Sequence, residues 1–327
     1  KKKIKTRSKP DIIICSFPTI GLSYECIKFG IKNNIPVFID IRDLWPDIFF
    51  KELLPALIQN LSKKIYSLFF NKHLYVFKNA TGLIGITDEI LDWGLNYANR
   101  KKNIKKDAVF HLAFDYNKTK NNNKSILSFN NGNLSFDKDK MYVVLAGTLS
   151  KYKFDFNAII DAITQLNNIN KNIFFIICGE GELLSSFKRR TNKLENIFFT
   201  GWIDKSQLAE IMSRSTIGLA PYNNSFTYNL SIPSKISEYL SYGLIVVSSL
   251  SGKLEKFLRE KNAGYTYSKS EELVSIINKV QKENYNIITS KMKNNIGIFK
   301  TKFDSKTIYN NYINFIIKNA RSYKKVK

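Results

Sequence analysis

The sequence predicts an α/β protein of two lobes, each a parallel sheet covered by helices on both faces. Three observations predict it. Short apolar runs of strand length alternate with longer stretches of helix-like apolar spacing along most of the 327 residues. The alternation breaks once, over NKTKNNNKSILSFNNGNLSFDKD at 117–139, and then restarts. The length suits two domains, and 44% hydrophobic residues are enough to fill their cores.

The elements follow in order. DIIICSF at 11–17 reads as a buried strand, 20–34 as a helix with Gly21 and Ser23 near its start, and PVFIDI at 36–41 as a second strand. Residues 50–79 read as mainly helical, because Leu53, Leu54, Leu57, Ile58, Leu61, Ile65, Leu68 and Phe69 recur at helical spacing. GLIGI at 82–86 is a third strand, Thr87 can cap a helix beginning at Asp88, and 107–113 suggests a short strand. The Asn-, Ser- and Lys-rich stretch 117–139 reads as a linker, disordered in part. Beyond it come strands at 141–147, 172–178, 196–200, 216–220 and 244–250. Helices are expected at 155–168, 181–194, 205–213, 233–243, 252–260, 269–282 and 304–320. The economical architecture is two Rossmann-like lobes facing a cleft. The expected division is 1–125 for an acceptor-side lobe, 140–303 for a ligand-binding lobe, and 304–327 for a terminal helix packing back toward the first.

The formal net charge is +24, from 51 Lys+Arg against 27 Asp+Glu. That excess favours an anionic partner: a phosphorylated substrate, an acidic lipid surface or nucleic acid. Cys15 and Cys178 lie in apolar runs and read as buried strand residues. With Cys26 as the third cysteine, no CxxC pair, and only His73 and His111 as imidazoles, neither a zinc site nor a disulfide framework is expected. No apolar run approaches the ~20 residues of a membrane span. GxSxG, HExxH, Walker A and a helix-opening GxGxxG are all missing, which argues against the enzymes they mark.

In open α/β sheets ligands bind beyond the carboxyl ends of strands, so those ends are the places to look. The most informative stretch is SIPSKISEYLSYGLIVVSSL at 231–250. Pro233 opens a helix and Gly243 stops it. The tip of that helix, Ile232, Pro233, Ser234 and Lys235, suits an anion, because unpaired N–H groups and the dipole point there. Glu238 lies further in, where a carboxylate can accept hydrogen bonds from sugar hydroxyls. Ordinary αβ punctuation is the plain alternative for this segment. After MYVVLAG, Gly147 permits close backbone approach, Thr148 offers a hydroxyl, and Lys151 and Lys153 supply cations for a diphosphate. Gly179 and Gly181 flank Glu180 in a tight turn after IFFIIC, and Trp202 and Ile203 follow NIFFT, where a nucleobase could pack. RDLWPD follows the second strand: Asp43 could orient Arg42, and Arg42 could pair with phosphate or carboxylate. A solvated lysine-rich loop, a plain turn, a core-edge tryptophan and a loop-fastening ion pair are the respective alternatives.

Taken together, IDIRDLWPD, ATGLIGITDEI, AGTLSKYKFDFNAIIDAI, FFIICGEGEL, ENIFFTGWIDKSQLAEIMSRSTIGLAPY and SIPSKISEYLSYGLIVVSS resemble a family 4 retaining glycosyltransferase of GT-B type. The resemblance covers roughly 10–320, and RDLWPD with PSKISEYLSYG is similar to a branch that makes bacterial surface polysaccharides, often from amino-sugar donors. It implies that Glu238 is the second Glu of the E-x7-E motif and binds the ribose. It implies that Lys153 binds the diphosphate, that Trp202 and Ile203 hold the base, and that residues 232–235 cradle phosphate and sugar. Arg42 falls where many relatives carry a His beside the transferring sugar. Thr148 stands where an Arg is usual, and Phe154 where a Gly is usual. Relatives usually carry further βα units before the segment matching Asp11, so the amino-terminal lobe is expected to be truncated.

The expected function is therefore transfer of a hexosyl or N-acetylhexosaminyl group from a nucleotide-sugar, UDP-linked, to a lipid-linked or polysaccharide acceptor of lipopolysaccharide or capsule type. Retention of configuration is expected, with no cofactor and no metal. Arg42, Asp43, Lys153 and Glu238 are the catalytic candidates; Gly147, Thr148, Gly179, Gly181, Trp202, Ile203, Ile232, Pro233, Ser234 and Lys235 are the donor-binding candidates. The expected setting is cytoplasmic, peripheral at an anionic inner membrane face, with no nucleic-acid partner. Two rival readings stand beside it: a non-catalytic nucleotide-binding lobe of a larger assembly, and a basic nucleic-acid-binding protein. The second rests on charge alone.

Overall fold

The computed structural model describes residues 9–53, 70–116, 126–129 and 132–325. The chain divides into two compact units. Unit 1 comprises Lys1–Leu112, Ser225–Ser231 and Lys306–Lys327; unit 2 comprises Ala113–Asn224 and Ile232–Ser305.

Unit 1 begins with β1 (Ile13–Phe17), α1 (Ile20–Asn33) and β2 (Val37–Ile41). A single π-helical turn follows at Phe49–Leu53. Helix α2 is described over 70–79. Of the apolar positions that predict a helix across 50–79, Leu54 to Phe69 lie outside the described residues. Then come β3 (Gly82–Gly85), α3 (Asp88–Ala98) and β4 (Ala108–Val109). The strands form one parallel sheet in the order β1-β2-β3-β4. Every residue of β2 is buried, as an interior strand of a parallel sheet requires. One face packs Phe17, Ile39, Ile41 and Leu83 against Phe77, Leu91 and Trp93.

Unit 2 opens with an antiparallel hairpin, β5 (Ile126–Phe129) and β6 (Gly132–Ser135). This corrects the expectation of a linker throughout 117–139, whose residues 117–125 and 130–131 lie outside the described ones. Alternating ILSF and GNLS tuck Leu127 and Leu134 inside, and the Phe129 ring sits 5.8 Å from that of Phe198. Two buried leucines outweigh a polar composition. The chain continues as β7 (Met141–Ala146), α4 (Asn157–Ile169), β8 (Ile173–Cys178), α5 (Leu184–Arg190), β9 (Ile197–Gly201), α6 (Lys205–Ser213) and β10 (Ile217–Ala220). Helix α7 (Phe226–Leu230) belongs to unit 1, and the chain re-enters unit 2 before α8 (Ser234–Ser241). Next come β11 (Ile245–Ser248), α9 (Lys253–Lys261), β12 (Gly264–Thr266), α10 (Ser270–Lys282) and α11 (Tyr285–Lys302). The sheet is parallel in the order β12-β11-β10-β7-β8-β9, so the direction of winding reverses between β10 and β7. Its interior strands bury Val143, Val144, Phe175, Ile176, Leu219 and Val246 almost completely.

The last helix, α12 (Ser305–Lys325), returns to unit 1. There Tyr312, Phe315 and Ile316 cover Phe38 and Ile84, on the face of the sheet opposite α3.

Candidate functional site

In unit 2 three glycines let two loops stack backbone on backbone beyond the carboxyl ends of β7 and β8. Gly147, Gly179 and Gly181 have φ of +146°, +132° and +153°, a region that side chains disfavour. A Cβ at 179 would lie 2.0 Å from the Gly147 carbonyl oxygen, and one at 181 would lie 2.4 Å from that of Leu149. The strands' hydrogen bonding continues into the loops: Gly147 N donates to Cys178 O at 2.9 Å, Gly179 N to Gly201 O at 2.9 Å, and Leu149 N to Glu180 O at 2.8 Å.

These loops wall a cavity of about 370 Å³. Of the residues singled out in the sequence, it brings together Gly147, Thr148, Gly179, Trp202, Ile203 and Lys235. Ala146, Cys178, Glu180 and Leu208 complete the lining. Trp202 is 74% exposed, a flat apolar face open to a ligand, and its backbone N–H donates to Glu180 Oε1 at 3.4 Å. Burial pushes the Cys178 thiol up to about 12, so it stays protonated in the wall and is no nucleophile.

Lys235 reaches the cavity from the first turn of α8. Its Nζ lies 2.5 Å from Glu238 Oε2, with the two side chains 21% and 16% exposed. The cation expected to meet an anion and the carboxylate expected to meet hydroxyls are thus paired with each other, one helical turn apart. Ile232 and Pro233 are buried and Ser234 is exposed; none of the three lines the cavity, and neither do Gly181 or Glu238. Lys153 is exposed, and only its backbone is fixed: its carbonyl accepts from Asn223 N at 2.8 Å. Its neighbours Lys151 and Phe154 line a separate cavity of about 330 Å³ with Asp155 and Arg190.

Tyr239 is a residue that sequence reasoning missed. It is fully buried on α8, and its hydroxyl accepts from Ala146 N at 3.2 Å and donates to Leu219 O at 2.9 Å. It thereby fixes α8 against the ends of β7 and β10 at the reversal point. Gly218 makes room, since a Cβ there would lie 2.5 Å from the Tyr239 ring. The signal lay in that pair, a glycine inside an apolar strand and a tyrosine on the helix that follows.

In unit 1, Arg42 directly follows β2. Its Nη2 lies 2.6 Å from Asp40 Oδ2, whereas Asp43 Oδ1 accepts from Leu44 N at 2.9 Å. This corrects the expected Asp43–Arg42 pair. Residues two apart on an extended chain share a face, and neighbours do not. Tyr312 OH also donates to Asp40 Oδ2, at 3.2 Å, and burial together with that carboxylate pushes the phenol above its ordinary range. Trp45 stacks on Phe49 at 5.6 Å. Asp47 accepts from Trp93 Nε1 at 3.2 Å and from the Tyr97 hydroxyl.

Among the described residues there is no group of three or more His, Cys, Asp or Glu that could hold a metal ion. No described helix is long and apolar enough to cross a membrane.

Comparison with known proteins supplies the family. The model of "Glycosyl transferases group 1" matches residues 129–298, just over half of the chain. No protein with a curated description matches by sequence. Among solved structures, HepE of Anabaena in complex with UDP superposes with a TM-score of 0.65 at 14% identity, over 93% of this chain and 78% of that one. The lipopolysaccharide outer core galactosyltransferase WaaB, in its apo form, gives 0.59 at 14%, over 96% and 76%. Sucrose-phosphate synthase of Thermosynechococcus elongatus gives 0.65 at 12%, over 95% and 74%. At such identities the likeness establishes the fold, two Rossmann-like domains of GT-B type. The matched segment contains the whole cavity and both members of the Lys235–Glu238 pair, and the chain accordingly belongs to the glycosyl transferases group 1 family and is a glycosyltransferase.

Proposed function

We propose that the chain transfers a sugar from a UDP-linked donor to a hydroxyl of a lipid-linked or polysaccharide acceptor in bacterial surface-glycan synthesis. The transfer retains configuration, needs no metal, and takes place at the inner face of an anionic membrane. The observation that carries this reading is the cavity at the β7–β8–β9 ends, which sets a cation, exposed loop backbone and an open tryptophan face around one space. That combination fits a nucleoside diphosphate: phosphate near Lys235 and the tip of α8, base near Trp202 and Ile203.

The reaction places new negative charge on the departing diphosphate as the glycosidic bond breaks. A positioned cation and helix N-terminus stabilise that charge, an effect worth about 10²–10³ in rate for one preorganised donor elsewhere. Lys235 supplies the charge from the cavity, and Lys153, on the flexible stem its exposure allows, reaches the same phosphates. As Lys235 turns to phosphate it releases Glu238 Oε2, which then accepts from the ribose hydroxyls. Arg42, aimed by Asp40 rather than Asp43, meets the acceptor or the sugar. Neighbours that bear UDP in the same fold support this reading.

Calorimetric titration with UDP, GDP and their sugars, in EDTA, tests it. UDP binding that survives EDTA is expected. Glu238→Ala should weaken it about tenfold or more, the loss of a charged hydrogen bond; Glu238→Gln, which keeps an acceptor, should lose less. Equal affinity in all three proteins would remove Glu238 from the site, and no nucleotide binding by the folded chain would overturn the donor assignment.

A further inference from the structure

The loop between α3 and β4 reads Arg100-Lys101-Lys102-Asn103-Ile104-Lys105-Lys106. Ile104 at its tip is 85% exposed, the most exposed of the large apolar side chains of the described residues. A mobile loop could fold such a side chain away; this one is braced to display it. Buried Asp107 grips Arg100 through two hydrogen bonds of 2.6 and 2.7 Å and accepts from Asn103 N at 2.7 Å and Leu83 N at 2.9 Å. Asn103 in turn accepts from Lys105 N at 3.0 Å through its side chain and from Lys106 N at 2.9 Å through its carbonyl. Arg100 is taken up by Asp107 and Lys102 by Asp88, while Lys101, Lys105 and Lys106 form no ion pair among the described residues.

The surroundings extend the basic character. The loop sits at the amino ends of unit 1's strands, the end opposite Arg42. A cavity of about 300 Å³ there is lined by Lys106, Asn34 and Thr81 together with Asn319, Ser322 and Tyr323 of α12. The last turns of α12 therefore share this end, and α12 has no acidic residue while its Lys318 and Arg321 are exposed.

We propose that this end of unit 1 is a membrane-docking surface for anionic phospholipid. Lys101, Lys105 and Lys106 sit at the level of the lipid phosphates, and Ile104 enters the boundary with the acyl chains. A basic surface with an apolar tip has two sources of attraction, and a bilayer satisfies both. A nucleic acid would satisfy only the charge, because the loop offers no exposed ring on which a base could stack. The inference deepens the proposed work at an anionic membrane. Its test uses no donor, so the two readings fail separately.

The test is co-sedimentation of the full chain with vesicles of phosphatidylcholine alone, or with about a third phosphatidylglycerol. Binding to the anionic vesicles only is expected, weakening as salt rises. Ile104→Asn should lower the partition about tenfold, an aliphatic contact's worth. Lys101→Gln with Lys105→Gln should lower it about thirtyfold, two surface charges' worth. In Ile104→Trp, indole emission should shift to the blue with anionic vesicles. All three substituted positions are on the surface, and unchanged circular dichroism checks the fold. No binding of the wild type to anionic vesicles, full binding by Ile104→Asn, or tighter binding to a DNA duplex than to vesicles with no effect of Ile104→Asn, would each overturn the proposal.

Discussion

A methyl group has no room at position 179, and that fact ranks the glycines of the cavity wall. At Gly179 a Cβ meets the Gly147 carbonyl oxygen at 2.0 Å, whereas at Gly147 it meets only the Phe154 ring, at 3.7 Å. Both have positive φ, so Gly147→Ala pays about 1–3 kcal/mol of backbone strain, and Gly179→Ala adds a backbone collision. Denaturant titration should find Gly179→Ala the more destabilised of the two, and equal losses would show that the two loops do not stack as described. The glycines were legible in the sequence because they punctuate strand ends. Arg42's partner was not. Reading along the chain favours the neighbour Asp43, while the pleat of β2 delivers Asp40. The Lys235–Glu238 pair was half legible: each residue type suits a ligand group, and their spacing on one helix face also brings them to each other.

At the scale of elements, α2 carries a buried imidazole with a measurable consequence. His73 is fully buried among Phe17, Phe77, Trp93 and Tyr97, and neither ring nitrogen has a hydrogen-bond partner among the described residues. Burial lowers its pKa from 6.5 to about 4, against a small opposing pull from Asp47. Between those values the unfolded chain binds a proton that the folded chain refuses. The stability His73 allows is therefore complete above about 6.5 and falls with pH, by about 2 kcal/mol at pH 5. Below about 4 this group adds no further slope. Urea midpoints at pH 7 and pH 5 should differ for the wild type and much less for His73→Leu. Thr87 holds two elements at once. Its Oγ1 caps α3 by accepting from Ile90 N at 3.2 Å and donates to Leu230 O at the end of α7 at 2.7 Å. Thr87→Val should cost about 1–2 kcal/mol and speed hydrogen exchange at the amides of α7, while Thr87→Ser should do neither. The cap was readable from Thr-Asp-Glu before an apolar run. Helix α7 was not, because five residues carry no period. Nor was α11, whose interior holds Asn295 donating to Leu244 O and Ala263 O at 2.8 and 3.0 Å, a polar anchor where a periodic reading looks for an aliphatic one.

For the whole molecule, two units with separate cores should unfold in more than one step, and a ligand that binds one of them should stabilise that one. If UDP is the donor nucleotide, as proposed, a hundredfold excess over its dissociation constant adds about 2.7 kcal/mol to the unit that holds it. Calorimetric scans should then show one transition moving with UDP and one staying. A single transition that shifts as a whole would mean the units unfold together. The α/β architecture was legible because alternation of strands and helices is a long-range pattern. The path of the chain was not, since no local signal says that α7 belongs with residues a hundred positions earlier.

That path has a consequence during synthesis. Phe38 and Ile84 leave the ribosome with the first strands of unit 1, yet the residues that cover them, Tyr312, Phe315 and Ile316, are translated only after the whole of unit 2. At about 5–20 residues per second the gap is on the order of ten seconds or more. Throughout it Phe38 and Ile84 lack these three partners, so apolar surface of the first strands stays open to solvent for as long as unit 2 takes to be made.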